Sequence, residues 1–348
     1  REWNYSADIL QKKLENGKEV RIFKSNKNNN VIISSDTISI FTNQARQYIE
    51  SQELHLIGPV TMINGQDSLQ CDNMKFWYEI DSLEAMGNVN FKFKNNILNT
   101  DSLTYVETNG FRGYSFITSG NSSLIDPKYN INSDQIMYDD NIQKMTLIRN
   151  AVINSDNRGI NGNNMNVEFK DSLIQKITIK ENGYVFNNHY AIANNLMTQL
   201  FKDEMYGNHI EIDLINQNLE NIAIKGMGKS IYYIVNDSSL LIGHNKATGD
   251  TINLNYKNGN LNTLNINGDA RGIFYPEIGR TKIDSILNYR ANSINYDLHN
   301  EITTLYEGVE IKYQNTTLKS NNVEIDWKTN SLYAYSTQQE RSEISSEG

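Results

Sequence analysis

Short stretches of this 348-residue chain alternate apolar and polar positions with a period of two, as in Val89-Asn90-Phe91-Lys92-Phe93 and Ile231-Tyr232-Tyr233-Ile234. That period, in β-branched and aromatic residues separated by Asn and Gly, predicts strands joined by tight turns. A longer pattern recurs along almost the whole sequence: apolar, any, small, Asp or Asn, any, apolar, any, apolar or aromatic. Its small–Asp/Asn steps are Ala7-Asp8, Ser35-Asp36, Cys71-Asp72, Thr100-Asp101, Ser133-Asp134, Gly162-Asn163, Gly207-Asn208, Gly249-Asp250, Ala291-Asn292 and Ser320-Asn321. Most intervals are roughly 28 to 36 residues, the range of stacked repeat units.

The pattern contains a break of phase. In the copy around Asp72, Leu69 and Cys71 share one parity while Met74 and Phe76 share the other. Side chains on a strand alternate faces, so both apolar pairs reach the same side only if the chain bends or bulges at the small–Asp/Asn step. A small residue leaves room there, and Asp or Asn bonds its own backbone or accepts a left-handed conformation. A second element, apolar-any-Gly-any-Val/Ala, falls between copies, at Leu56-Gly58-Val60, Ala85-Gly87-Val89 and Ile266-Gly268-Ala270, with a looser version at Leu305-Gly308-Val309. Together they describe a rung of two bent strands that cannot bury its apolar face alone and must stack.

Composition narrows the class. Asn makes up about one residue in seven, Pro occurs three times and Cys once. A single thiol excludes a disulfide-stapled scaffold. Mean hydropathy is −0.57, and no apolar run approaches the roughly 18 to 20 residues of a membrane-spanning helix. A net charge of −9 without a basic, aromatic-interleaved stripe argues against nucleic acid as a partner. The chain opens at Arg1 without a charged-then-apolar leader, so a signal peptide is expected to have been removed.

The strings YSAD at Tyr5–Asp8, LQCDNMKFWYEIDSLEAMGNVNFKF at Leu69–Phe93 and LKSNNVEIDWKTNSLYA at Leu318–Ala334 resemble the OstA/LptA-like family of lipopolysaccharide transport. That family includes periplasmic LptA, the periplasmic part of LptC and the N-terminal domain of LptD. The resemblance spans roughly residues 5 to 335. It implies an all-β, elongated β-jellyroll: a folded, V-section sheet of solenoid-like stacked antiparallel strands. It also implies an apolar interior for lipid acyl chains, a periplasmic location with association to the outer membrane, and head-to-tail joining to other Lpt-type jellyrolls.

Signals for chemistry are thin. His55, His189, His209, His244 and His299 are scattered singly and are expected on the surface or in loops, with no metal-ligand spacing, nucleophile elbow or phosphate loop. Asp36, Asp72, Asp101 and Asp134 suit a carboxylate row, but Asn163, Asn292 and Asn321 take the same place, which fits corner capping better than catalysis or metal binding. Cys71 occupies the small position and is expected to be a buried, inert thiol. No catalytic residue, metal ligand or cofactor is assigned.

The expected function is therefore non-enzymatic: a bridge protein that shields lipid A acyl chains of lipopolysaccharide in an apolar trough, with membrane contact only through partners. The lining is assigned to Met74, Phe76, Leu103, Tyr105, Ile136, Tyr138, Met165 and Val167. The assembly edge is assigned to Val323, Ile325 and Trp327, on a proline-free segment taken as the last strand. A β-solenoid that binds or cleaves polysaccharide and a ligand-free scaffold are the competing classes. Residues 1–180 are expected to form a first stack and 205–335 a second. Between them, 181–204 is irregular, with helix-like spacing at Ile192, Leu196, Met197, Leu200 and Phe201 that suits a short helix or lid. Residues 336–348 are expected to form a disordered tail or linker.

Overall fold

A computed structural model describes residues 2–26, 29–108, 113–193, 198–236, 238–257, 260–280, 283–329, 331–336 and 341–346. Among them every regular element is a β-strand, and every pairing between strands is antiparallel. The chain divides into two compact units, Arg1–Ser155 and Asp156–Gly348.

The first unit carries β1 (Asn4–Ser6), β2 (Ile9–Glu15), β3 (Lys18–Lys24), β4 (Val31–Ser34), β5 (Ile38–Thr42), β6 (Gln44–Tyr48), β7 (Glu53–Asn64), β8 (Asp67–Trp77), β9 (Ser82–Phe93), β10 (Asn96–Thr108), β11 (Gly113–Ser119), β12 (Ser122–Ile125), β13 (Asn130–Ser133), β14 (Gln135–Asp139) and β15 (Lys144–Asn154). Its long strands each belong to two ladders. One half-sheet runs β2, β3, β6, the first part of β7, the second of β8, the first of β9, the second of β10, β11, β14 and the first part of β15. The other runs β1, β4, β5 and the complementary parts of β7 to β10, then β12, β13 and the end of β15. The bent strands are the fold line of a jellyroll-like sheet.

Register shifts mark the fold line where the sequence placed its corners, at Gln70/Asn73 on either side of Cys71-Asp72 and at Thr100/Ser102 around Asp101. The small residues do more than leave room. Ser133 Oγ donates to the carbonyls of Ile148 (2.9 Å) and Arg149 (3.0 Å), and Thr100 Oγ1 donates to the carbonyl of Ser119 (3.2 Å). These hydroxyls supply hydrogen bonds that an unbroken ladder would have made. The glycine element is the complementary corner on the neighbouring strand. Gly87 and Asn88 both have positive φ (76° and 48°), and a Cβ at Gly87 would lie 2.3 Å from Asp72 Oδ2. Asn88 Nδ2 donates to that carboxylate at 2.9 Å. Arg149-Asn150 and Glu181-Asn182 make the same left-handed pair without glycine, which is why the glycine pattern passes over them.

One copy is misplaced in the sequence reading. Ser35-Asp36 lies in the hairpin turn between β4 and β5, where the Ser35 N–H bonds the Ile38 carbonyl (2.9 Å), and both strands belong to one half-sheet. The true corner follows at Thr42-Asn43, where Thr42 Oγ1 donates to the Ile57 carbonyl (3.1 Å). The backbone closes a turn at Asp36 because β4 is only four residues long and is used up before the fold line.

The second unit carries β16 (Arg158–Lys170), β17 (Leu173–Ile192), β18 (Thr198–Ile215), β19 (Asn218–Val235), β20 (Leu241–Lys257), β21 (Asn260–Pro276), β22 (Leu287–Asp297), β23 (Ile302–Tyr313), β24 (Thr316–Asp326), β25 (Ser331–Tyr335) and β26 (Glu343–Ser346). Its strands again bend between two half-sheets, with shifts at Asn161/Asn164, Tyr206/His209, Thr248/Thr251 and Arg290/Ser293. The 181–204 segment is not helical where described: Gly183–Ile192 pairs with Thr198–Gly207 in the β17–β18 hairpin. Leu196 and Met197 lie outside the described residues. Strand alternation wins there, with Ala191 buried and its neighbour Tyr190 exposed.

The tail is corrected in part. Glu343–Ser346 adds to β24 as a strand, held by backbone pairing and not by burial, since Ile344 is 75% exposed; residues 337–340 and 347–348 lie outside the described residues.

Candidate functional site

Each unit encloses an inner face between its half-sheets, and that face is the candidate site. Six of the expected lining residues share it in the first unit. Met74, Phe76, Leu103 and Ile136 are at most 2% exposed, and Tyr105 and Tyr138 are half-buried. Their opposite-parity neighbours Thr104 and Gln135 point outward, Thr104 exposed and Gln135 half-exposed. Met165 and Val167 are buried on the inner face of the second unit.

All six come from one half-sheet. The facing wall is built by Ile40, Leu69, Phe91, Phe93, Leu98 and Ile131, all buried. The sequence assignment missed these because it took only the apolar residues after each Asp or Asn; those before it, Leu69, Leu98 and Ile131, stand in the same motif. Away from the fold line the two walls meet through aromatic rings. Phe93 makes edge contacts with Tyr114 (6.0 Å) and Phe116 (6.1 Å), and Phe91 with Tyr105 (5.7 Å). Tyr114 in turn stacks on Tyr105 (5.9 Å) and touches Tyr138 (5.6 Å). Burial pushes the Tyr105 phenol up to about 12, so these rings stay neutral. The contacts closing this rim are between ring faces and edges, each worth about 0.5 to 1.5 kcal/mol beyond area burial.

The second unit's inner face carries polar groups that the sequence did not signal. Tyr289 and Tyr296, on opposite sides of the β22 corner, bond each other through their hydroxyls. Asn245 joins them, accepting from Tyr289 and donating to Tyr296 (3.0 Å). Asp203 is 7% exposed and accepts the Tyr233 N–H (2.9 Å) at the place where β19 parts from β18. Burial pushes its carboxyl up to about 7. His189 Nδ1 lies 3.5 Å from Asp203, and burial lowers the imidazole pKa. The expectation of surface or loop histidines is corrected at His189, while His299 lies exposed in a turn. His55, His189, His209 and His244 all sit within strands, and His189 shares the inner parity of buried Val185 and Ala191. Single residues in an Asn-rich strand carry no periodic signal that would place them.

No family model and no curated protein matches the chain. Among solved structures it is similar to LptH of Pseudomonas aeruginosa, described as the LptA-homologous periplasmic component of a conserved lipopolysaccharide transport device. The identity is 13% and the TM-score 0.32, over 42% of this chain and 95% of that one.

The segment expected as the assembly edge is a strand paired on both sides. Val323 (0% exposed) and Ile325 (8% exposed) face inward on β24, which is paired with β23 on one side and with β25 and β26 on the other. Trp327 Nε1 donates to Thr303 Oγ1 (2.8 Å), and its ring packs on Phe274 (5.6 Å). The segment Ser331–Tyr335 alternates well enough to form a further strand, so among the described residues the free backbone edge is at β25, where Leu332 and Tyr333 are 45% and 50% exposed. Cys71 is buried, with its thiol pushed up to about 12 by burial and its Sγ donating to the Asn73 carbonyl (3.2 Å). It is a corner residue.

Proposed function

We propose that this chain shields the acyl chains of lipopolysaccharide between the half-sheets of its first unit and passes them to another Lpt-type jellyroll in the periplasm, without covalent chemistry. One observation carries the reading: the inner face of that unit is apolar on both walls and closed at its rim by neutral aromatic rings. The sequence resemblance supports it. Rim contacts between rings part at modest cost, and an acyl chain that replaces them recovers the buried apolar area. The partner would add to the exposed edge at β25 by strand pairing, which continues the inner face from one protein into the next.

Photo-crosslinking residues at Leu103 or Ile136 test this. In lipopolysaccharide-producing cells both should capture lipopolysaccharide, and neither Thr104 nor Gln135 should. Capture only from the outward pair would defeat the proposal, as would none from any of the four.

A further inference from the structure

We propose that an outer-face cleft in the second unit, at the ends of β21 and β22 and the β23–β24 turn, is a saccharide-binding subsite. The cleft has a volume of about 600 Å³, and its walls include Tyr275, Asp284, Ser285, Asn288, Lys312 and Gln314. It lies outside the sheet: Asn288 is exposed between buried Leu287 and Tyr289, and Lys312 is exposed beside buried Ile311. The volume falls within the roughly 300 to 1,000 Å³ of small-ligand sites, and Pro276 and Ile286 add apolar surface to the walls.

The chemistry of the walls selects the ligand. A pyranose offers an apolar C–H face and a rim of hydroxyls, each both donor and acceptor. Tyr275 supplies an aromatic face, and its ring is held in place by His244, stacked at 4.6 Å on the β20 side, and by Lys246 Nζ, 5.1 Å from its centroid. Asp284, Asn288 and Gln314 supply planar groups that bond neighbouring hydroxyls in pairs. These groups are set before any ligand arrives. Asp284 Oδ1 accepts from Tyr313 Oη (2.7 Å), Ser285 Oγ (3.0 Å) and Gln314 Nε2 (3.1 Å). Its Oδ2 takes none of these bonds. The same bonds, with Tyr313 foremost, hold the carboxyl below the usual carboxylate range, so it acts as an acceptor. A fixed carboxylate in the wall disfavours a free phosphate, and the mixture of polar groups with the apolar surface of Tyr275, Pro276 and Ile286 matches the two faces of a pyranose. Lys312, which pairs with Glu310 at 3.1 Å, adds a donor within reach of an acidic sugar.

Saturation-transfer NMR on the full chain with maltotriose, cellotriose, triacetylchitotriose and trigalacturonic acid provides the test. At least one should receive saturation, with Tyr275→Ala and Asn288→Ala each weakening its affinity at least tenfold. The melting temperature should stay within a degree or two in Asn288→Ala, whose side chain is exposed. Silence from all four probes overturns the inference, as does a signal unchanged in both variants. Lipid capture at Ile136 is independent of these side chains, so its failure would count against the lipid reading alone.

Discussion

At Ser133 the hydroxyl donates to two carbonyls of the neighbouring strand in a site only 5% exposed. Ser133→Ala removes this shared hydrogen bond without adding bulk, and should destabilise the protein by about 0.5 to 1.5 kcal/mol, the net worth of a buried hydrogen bond. Urea denaturation measures it, and an unchanged midpoint would show that the hydroxyl is dispensable at the corner. Asp203 poses the opposite case, a carboxyl whose folded pKa, about 7, lies above its ordinary 3.8. Between those values the folded state holds a proton that the unfolded state has released, so stability falls as pH rises through this window and then levels off. Asp203→Asn keeps an oxygen for the Tyr233 N–H but carries no charge. The variant should therefore match the wild type near pH 4 and exceed it at pH 8, by on the order of 2 to 4 kcal/mol. A gap between the two that stays constant from pH 4 to 8 would refute the buried-carboxyl account.

The bent strand is the repeating element. Its two corner types alternate from strand to strand, so that Asp72 on β8 meets Gly87 and Asn88 on β9. The phase break in the sequence foretold the Asp/Asn corner, because two apolar sets of opposite parity leave the chain no other way to bury both. The partner corner was half legible: glycine announces a left-handed backbone, but Arg149-Asn150 and Glu181-Asn182 adopt it without glycine and are invisible to a glycine pattern. The terminal elements were hardest to place. Since Ile325 pairs with Thr303 on one side and Leu332 on the other, Ile325→Pro should unfold the C-terminal rungs. Leu332→Pro, on the exposed strand β25, should leave circular dichroism nearly native while abolishing a disulfide crosslink from Tyr333→Cys to a partner strand. A crosslink that survives Leu332→Pro would place the joint elsewhere.

For the molecule as a whole, a net charge of −9 repels an anionic amphiphile at low ionic strength. The Debye length shrinks from about 30 Å at 0.01 M salt to about 8 Å at 0.15 M. Lipopolysaccharide capture at Ile136 by the purified protein should therefore rise over that range, and rise further with millimolar Mg²⁺; capture that falls with salt would instead point to attraction by a local basic surface. By itself the sequence determined the strand class, the fold line and the parity of the inner face, because all three follow from local periodicity and from the small residue at each bend. Only the tertiary structure decided which wall faces which, where the units divide, which strand ends the array, and that Asp203, His189 and the Tyr289–Asn245–Tyr296 group lie inside. Those outcomes depend on contacts between residues far apart in the chain, such as Asn245 and Tyr296, whose side chains meet only after the corners have set the register.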